Sequence, residues 1–232
     1  MHTQKLTAVG LGPGDPELIT VKGLKSLQEA EVIFYPATYK QDEQIKSFSL
    51  SILQHYQLGC TFKPMLIPMT GKNQNNHYKT AFEDIKAEVE ANKKVVVVSE
   101  GDLLFYSTFG YMLPFFKQHN ISIGLIPGIP AFIDAANKSK QALIEKEQQL
   151  SVLPKPSNYQ EIKDNLQYNN TVIIMKMGSL DRWYDFIAEN GYPFFYAEHL
   201  GTDKQFYTTE LNKLKDRTFP YFSLIILYNS SI

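Results

Sequence analysis

In the first half of the chain, segments with the apolar pattern of a buried strand alternate with segments whose apolar residues have helical spacing. Leu6–Leu11 and the valine run Val95–Val98 are continuous apolar stretches, which is typical of strands buried on both faces of a sheet. Pro16–Glu29 instead carries its apolar residues at helical spacing. Further strands are predicted over Val32–Tyr35, ending at Pro36, Phe62–Ile67 and Ile121–Ile126, and further helices over Ser47–His55, Tyr78–Ala91 and Thr108–Gln118. This alternation predicts right-handed crossovers and a doubly wound, mainly parallel five-stranded sheet in an α/β domain.

The pattern becomes less regular in the second half. Helices are predicted over Pro130–Lys140, Tyr159–Leu166 and Leu180–Asn190, and strands over Gln149–Leu153, Thr171–Met175, Phe194–Glu198, Gln205–Glu210 and Phe222–Leu227. Consecutive strands with few helices between them indicate a separate α+β domain with a mixed sheet. We place the junction near Pro127–Gly128, which gives domains of residues 1–127 and 128–232.

Composition narrows the class of protein. The 232 residues carry a formal net charge of −1, so no global field attracts nucleic acid. No apolar run approaches the ~20 residues of a membrane span, which argues against a membrane partner. Cys60 is the only cysteine, so an intrachain disulfide is excluded and a reducing, cytoplasmic location is expected.

A glycine-rich loop follows the first strand. Gly10, Gly12 and Gly14 surround Pro13 and lead through Asp15 into a helix that Asp15 or Thr20 can cap. A dinucleotide fingerprint does not fit, because Asp15 stands where its third glycine belongs, and no Gly-Lys-Ser/Thr ends the run as in a phosphate-binding Walker loop. The remaining readings are a binding loop at the carboxyl edge of the sheet and a simple turn.

A second glycine-containing turn is expected at the same edge. Glu100-Gly101-Asp102 follows the valine strand, and two such turns at one carboxyl edge form a crevice. Asp102 can accept hydrogen bonds from a ligand, or it can cap the next helix, with Ser107 and Thr108 as alternative caps. The residues alone leave both readings open.

The order of several blocks gives a family resemblance. The glycine loop is followed by Gly23–Leu27, Ala30–Pro36, Gly101–Phe109, Ile126–Phe132, Met175–Gly178 and Pro220–Leu224. In this order they resemble the tetrapyrrole methylases, whose members transfer a methyl group from S-adenosylmethionine and release S-adenosylhomocysteine. The resemblance covers nearly the whole chain and implies the two-domain fold of that family, a tetrapyrrole substrate and a homodimer.

The resemblance also implies site residues, with the C-terminal domain closing the methyl-donor cleft. Residues expected to contact the donor are Pro13, Gly101, Asp102, Leu103, Ser107, Thr108, Pro130, Ala131, Met177 and Gly178. Residues expected to contact the substrate are Gly12, Gly14, Asp15, Lys40, Lys72 and Lys176. Leu103 replaces the proline of most members, and Pro130 replaces a common threonine or serine.

No catalytic side chain is assigned. Pro36 stands where several members have an acidic residue, and the five histidines lack metal-ligand spacing, so no metal is expected. His199 lies nearest a plausible cleft, although a structural role is the more common one. Gly101–Phe109 and Pro220–Leu224 are most similar to members that methylate ring carbon 20 in cobalamin synthesis. The alternatives are methylation at another ring position and a donor-binding module without turnover.

Overall fold

The computed structural model describes residues 6–39, 45–68 and 74–229, so the predicted substrate lysines Lys40 and Lys72 lie outside the described residues. The chain divides into two compact units, of which the first ends at Pro130 and the second begins at Ala131. Within the described ranges, no helix is both long and apolar enough to cross a membrane.

The first unit is an α/β sheet covered on both faces. Its strands are β1 (Leu6–Gly10), β2 (Val32–Tyr39), β3 (Ile45–Lys46), β4 (Thr61–Leu66), β5 (Val95–Ser99) and β6 (Gly124–Ile126). Its helices are α1 (Val21–Gln28), α2 (Phe48–Leu53), α3 (Gln74–Glu90) and α4 (Thr108–Gln118). The sheet order is β3-β2-β5-β1-β6, and β4 also pairs with β2.

The valine run of β5 explains why this sheet is buried on both sides. Val95 and Val97 enter one apolar cluster with α3 and α4, while Val96 and Val98 enter a second cluster on the opposite face. Successive side chains of a strand point to opposite faces, so a continuous apolar run serves both clusters. β5 therefore forms the centre of the unit and fixes the position of its carboxyl end.

Several predicted boundaries in this unit are wrong. β6 begins at Gly124 and not at Ile121, α3 begins at Gln74 and not at Tyr78, and the sequence pattern does not predict β3. The predicted helix Pro16–Glu29 is a 3-10 turn over Pro16–Leu18 followed by α1, because the Thr20 side chain accepts a hydrogen bond from the Gly23 N–H and starts a new helix. β2 does not end at Pro36, since its pairing with β5 stops at Phe34 while its pairing with β4 continues. The missing N–H of proline therefore faces the side without a strand partner.

Helices and a mixed sheet make up the second unit. Its strands are β7 (Leu150–Leu153), β8 (Thr171–Met175), β9 (Phe194–Glu198), β10 (Phe206–Thr208) and β11 (Ser223–Tyr228), in the order β10-β9-β11-β8-β7. Its helices are α5 (Ala131–Ser139), α6 (Tyr159–Tyr168) and α7 (Trp183–Asn190). Only β7 and β8 pair in parallel among the described strands of this sheet, so the predicted mixed sheet is confirmed.

A partly buried ion pair organises one end of this sheet. Glu198 at the end of β9 accepts two hydrogen bonds from the Arg217 guanidinium, with Nε at 3.1 Å from Oε2, and a third from the Tyr196 hydroxyl. The guanidinium also lies 3.8 Å from the centre of the Phe206 ring. Burial, and then the Glu198 carboxylate, raise the pKa of Tyr196, so this hydroxyl stays a donor.

Replacing each of the chain's two arginines by alanine tests the importance of this pair. Arg217→Ala should cost about 2–4 kcal/mol of unfolding free energy, because it leaves a mostly buried carboxylate without its counter-charge. Arg182→Ala is the matched control, since the Arg182–Asp185 pair is largely exposed and its loss should cost far less. Urea unfolding of both variants measures the difference, and equal losses would contradict this account.

Candidate active site

Three strand ends of the first unit meet at glycines. Gly10 ends β1, Gly101 lies just beyond β5, and Gly128 lies just beyond β6. A Cβ built on Gly128 would be 2.1 Å from the Gly101 carbonyl oxygen, and one on Gly10 would be 2.5 Å from the Gly128 nitrogen. No side chain fits at either position without a shift of backbone. We call these residues the three-glycine junction.

Hydrogen bonds between the two glycine turns reinforce this junction. The Gly101 N–H donates to the Gly12 carbonyl at 2.8 Å, and the Gly12 N–H donates back to the Gly101 carbonyl at 3.2 Å. Both residues have positive φ, +82° at Gly12 and +64° at Gly101, which favours glycine. The structure thus brings the two predicted turns together at one edge of the sheet.

The Asp102 side chain fixes the junction through both oxygens. Oδ2 accepts from the Gly128 N–H at 3.1 Å, and Oδ1 accepts from the Leu104 N–H at 2.9 Å. It is not the cap of the following helix. Ser107 is the N-cap of α4, because its hydroxyl accepts from the Gly110 N–H at 3.1 Å. The contact of Asp102 with a donor stays a prediction.

The other residues of this unit that are predicted to contact the methyl donor differ in how far they are buried. Leu103 is 1% exposed as a whole residue and its side chain belongs to the core, so its contact with a donor stays a prediction. Pro13 is buried, and Thr108 begins α4 next to the capping Ser107. Pro130 lies beside Gly101, with its Cα 3.9 Å from where a Cβ on that glycine would be.

The remaining residues of the glycine loop that are predicted to contact the substrate have structural roles as well. Asp15 caps the 3-10 turn by accepting from the Glu17 N–H at 2.9 Å, and Gly14 has a φ of +140°. Each of these two residues therefore shapes the loop that follows β1. Their contacts with a substrate stay predictions.

Four predicted residues belong to the second unit. Ala131 begins α5, and Gly178 is exposed just beyond β8. Met177 is 0% exposed as a whole residue within the core of this unit, and its carbonyl accepts a hydrogen bond from the Trp183 indole, so its contact with a donor stays a prediction. Lys176 has a φ of +57° and holds its Nζ 5.2 Å from the centre of the Tyr221 ring.

Glu100 is a site residue that the sequence reasoning did not select. It follows β5 directly, and its Oε1 accepts a hydrogen bond from the Ser49 hydroxyl of α2 at 2.6 Å. Burial raises the pKa of Glu100, and hydrogen bonding to Ser49 offsets part of this rise. A glutamate next to a glycine turn, after a fully apolar strand, was the available signal in the sequence.

The raised pKa of Glu100 predicts a pH dependence of stability. Its protonated form favours the folded chain below the ordinary pKa of 4.5, and this contribution is lost as pH rises through the higher folded-state pKa. Glu100→Gln should therefore flatten the fall of the thermal midpoint as pH rises above 4.5. The exposed Glu147→Gln is the control. Parallel curves for wild type and Glu100→Gln would show the expectation to be wrong.

Comparison with known proteins gives relatives along nearly the whole chain. The family model for tetrapyrrole (corrin/porphyrin) methylases matches residues 5–215. A precorrin-2 C(20)-methyltransferase of Sinorhizobium sp is 30% identical, over 96% of this chain and 94% of its own. A cobalt-precorrin-2 C(20)-methyltransferase of Salmonella typhimurium is 28% identical, over 96% of this chain and 95% of its own.

Solved structures support the same fold. A cobalt precorrin-4 methyltransferase superimposes with a TM-score of 0.69 at 20% identity, covering 97% of this chain and 95% of the other. A uroporphyrin-III C-methyl transferase from Thermus thermophilus, complexed with S-adenyl homocysteine, gives a TM-score of 0.66 at 19% identity, covering 97% of each chain. As its sequence blocks predict, the chain belongs to the tetrapyrrole (corrin/porphyrin) methylase family.

Proposed function

We propose that this protein transfers a methyl group from S-adenosylmethionine to carbon 20 of precorrin-2 or cobalt-factor II in cobalamin biosynthesis. The observation that carries the assignment of a donor site is the three-glycine junction, where two turns present bare backbone at the carboxyl edge of a parallel sheet. The choice of carbon 20 is supported by the two C(20)-methyltransferase relatives, which match almost from end to end.

The backbone around Gly101 fits a methyl donor. A Cβ on Gly101 would meet nothing closer than 3.9 Å, so space remains in front of this residue, in contrast to the crowding at Gly10 and Gly128. Gly101, the backbone of Leu103 and the adjoining Pro130 would hold the donor there. Asp102 supports them indirectly, because both of its oxygens are already bonded to the backbone.

Orientation accounts for most of the proposed catalysis. S-adenosylmethionine supplies a methyl group that is already activated by its sulfonium charge. The chain's residues then have to hold the electron-rich ring carbon and the methyl group in line, and such orientation can supply roughly 7–11 kcal/mol of a barrier. The two hydrogen bonds between Gly12 and Gly101 and the two that Asp102 accepts restrain the turn that would hold the donor.

Recognition of the ring carboxylates is proposed for lysine rather than arginine. Lys176 lies in the second unit with its ammonium over Tyr221, which restrains the side chain while leaving its N–H donors available. Arg217 is already paired with Glu198, and Arg182 with Asp185. Lys40 and Lys72 keep their predicted roles, as do the homodimer and the cytoplasmic location.

The competing functions differ in the product that an assay detects. A cobalt-precorrin-4 C(11)-methyltransferase of Methanocaldococcus jannaschii is 24% identical over 82% of this chain, so another ring position is the first alternative. A donor-binding module without turnover is the second. It would bind S-adenosylhomocysteine and give no methylated product with any ring.

We expect the purified protein to methylate precorrin-2 or cobalt-factor II when supplied with S-adenosylmethionine carrying a ¹³C methyl group. The carbon spectrum of the product should place the label on carbon 20. His199→Gln should keep the rate within about tenfold of wild type, because general-base catalysis is worth ~10²–10⁴-fold and no such role is proposed for it. Label at another carbon, or binding of donor without any labelled ring, would refute the proposed reaction.

A further inference from the structure

Two serines at the start of α2 are bonded to two neighbouring strands. The Ser47 hydroxyl, at the N-cap of α2, donates to the Pro36 carbonyl within β2 at 2.7 Å. The Ser49 hydroxyl donates to Glu100, just beyond β5, at 2.6 Å. β2 and β5 are adjacent and parallel, so one short helix is bonded to β2 just past its last pair with β5 and to the residue that follows β5.

The position of Glu100 follows from the alternation of β5. Val96 and Val98 point to the face that α2 covers, and Glu100 continues this series two residues further on. Ser49 is 0% exposed there, so its hydroxyl is held in place by packing. Among the residues that the structure describes, Ser49 is the side chain that hydrogen-bonds to Glu100.

Glu100 is joined directly to the turn proposed for the donor. Its neighbour Gly101 makes both hydrogen bonds with Gly12 and has a φ of +64°. A change in the backbone of Glu100 therefore changes the direction in which Gly101 and Asp102 leave the strand. The bond to Ser49 removes that freedom from one side of the turn, and the three-glycine junction removes it from the other.

We infer that the Ser49–Glu100 hydrogen bond positions the Gly101–Leu103 turn for the methyl donor, which makes Glu100 a positioning residue. The inference rests on the proposed function, because it assigns a task within the same donor site. It predicts that the pair acts on donor affinity and not on the chemical step.

Ser49→Ala is the direct test. The dissociation constant of S-adenosylhomocysteine, measured by calorimetry, should rise about threefold to tenfold, the range expected for the loss of one hydrogen bond. The KM for the donor should rise with it, while kcat at saturating donor and the KM for the tetrapyrrole stay within about twofold of wild type. Ser49→Cys replaces the hydroxyl by a bulkier and weaker donor and should shift affinity in the same direction.

Ser51→Ala is the matched control. Ser51 lies in the same helix and donates only to the Phe48 carbonyl of its own turn, at 2.7 Å. This variant should bind S-adenosylhomocysteine like wild type. A comparable loss of affinity in Ser51→Ala would mean that α2 as a whole has been perturbed, and it would overturn the inference.

Variants of Glu100 separate positioning from proton transfer. Glu100→Ala should weaken donor binding at least as much as Ser49→Ala, because it also removes the carboxylate from the backbone N–H groups of Ser49 and Glu100. Adding Ser49→Ala to Glu100→Ala should change the affinity little, because the Ser49–Glu100 bond is then already lost. Glu100→Gln keeps an acceptor for Ser49 and should restore most of the affinity. A 10²–10⁴-fold fall of kcat in Glu100→Gln with unchanged donor affinity would instead identify a proton acceptor.

The failure of this inference is distinguishable from failure of the proposed function. If wild type does not bind S-adenosylhomocysteine, the donor site itself is wrong. If wild type binds it and folded Ser49→Ala binds it equally well, only the role of the Ser49–Glu100 bond is wrong.

Discussion

Strands β1, β5 and β6 end where their backbones approach more closely than any side chain allows. At Gly128 a single added Cβ would be 2.1 Å from the Gly101 carbonyl oxygen, and at Gly10 it would be 2.5 Å from the Gly128 nitrogen. Because the strand ends lie so close together, the Asp102 carboxylate can accept a hydrogen bond from the Gly128 N–H. The turn after β5, its bridge to Gly12 and the space left in front of Gly101 all depend on this contact.

The strongest elements were predictable because their signals are local. The valine run predicts a strand with apolar side chains on both faces. The bounds of α4, β8 and β9 follow from periodicity and capping. The same holds for the two glycine turns, because parallel strands end at a common edge. Pro36 misled the prediction, since a proline ends a strand only where a partner needs its N–H.

Side-chain partners across the sheet could not be predicted. Asp102 bonds to a residue 26 positions away, and Glu100 to one 51 positions away, so no spacing along the sequence reveals either pair. Met177 illustrates a second limit of prediction from the sequence. A methionine at the end of a strand is more often a core residue, and only the family resemblance indicated a ligand contact; the burial of Met177 beside Trp183 became visible in the fold.

The central claim is that the three-glycine junction shapes the site of the methyl donor. Calorimetric titration of wild type, Gly128→Ala and Gly59→Ala with S-adenosylhomocysteine tests it, because a Cβ on Gly59 would meet nothing within 4 Å. The account predicts wild-type affinity for Gly59→Ala and affinity weaker by about fivefold or more for Gly128→Ala, because the added Cβ forces the Gly101 carbonyl, and with it the turn proposed to hold the donor, to move. A folded Gly128→Ala that binds S-adenosylhomocysteine as tightly as wild type would contradict it.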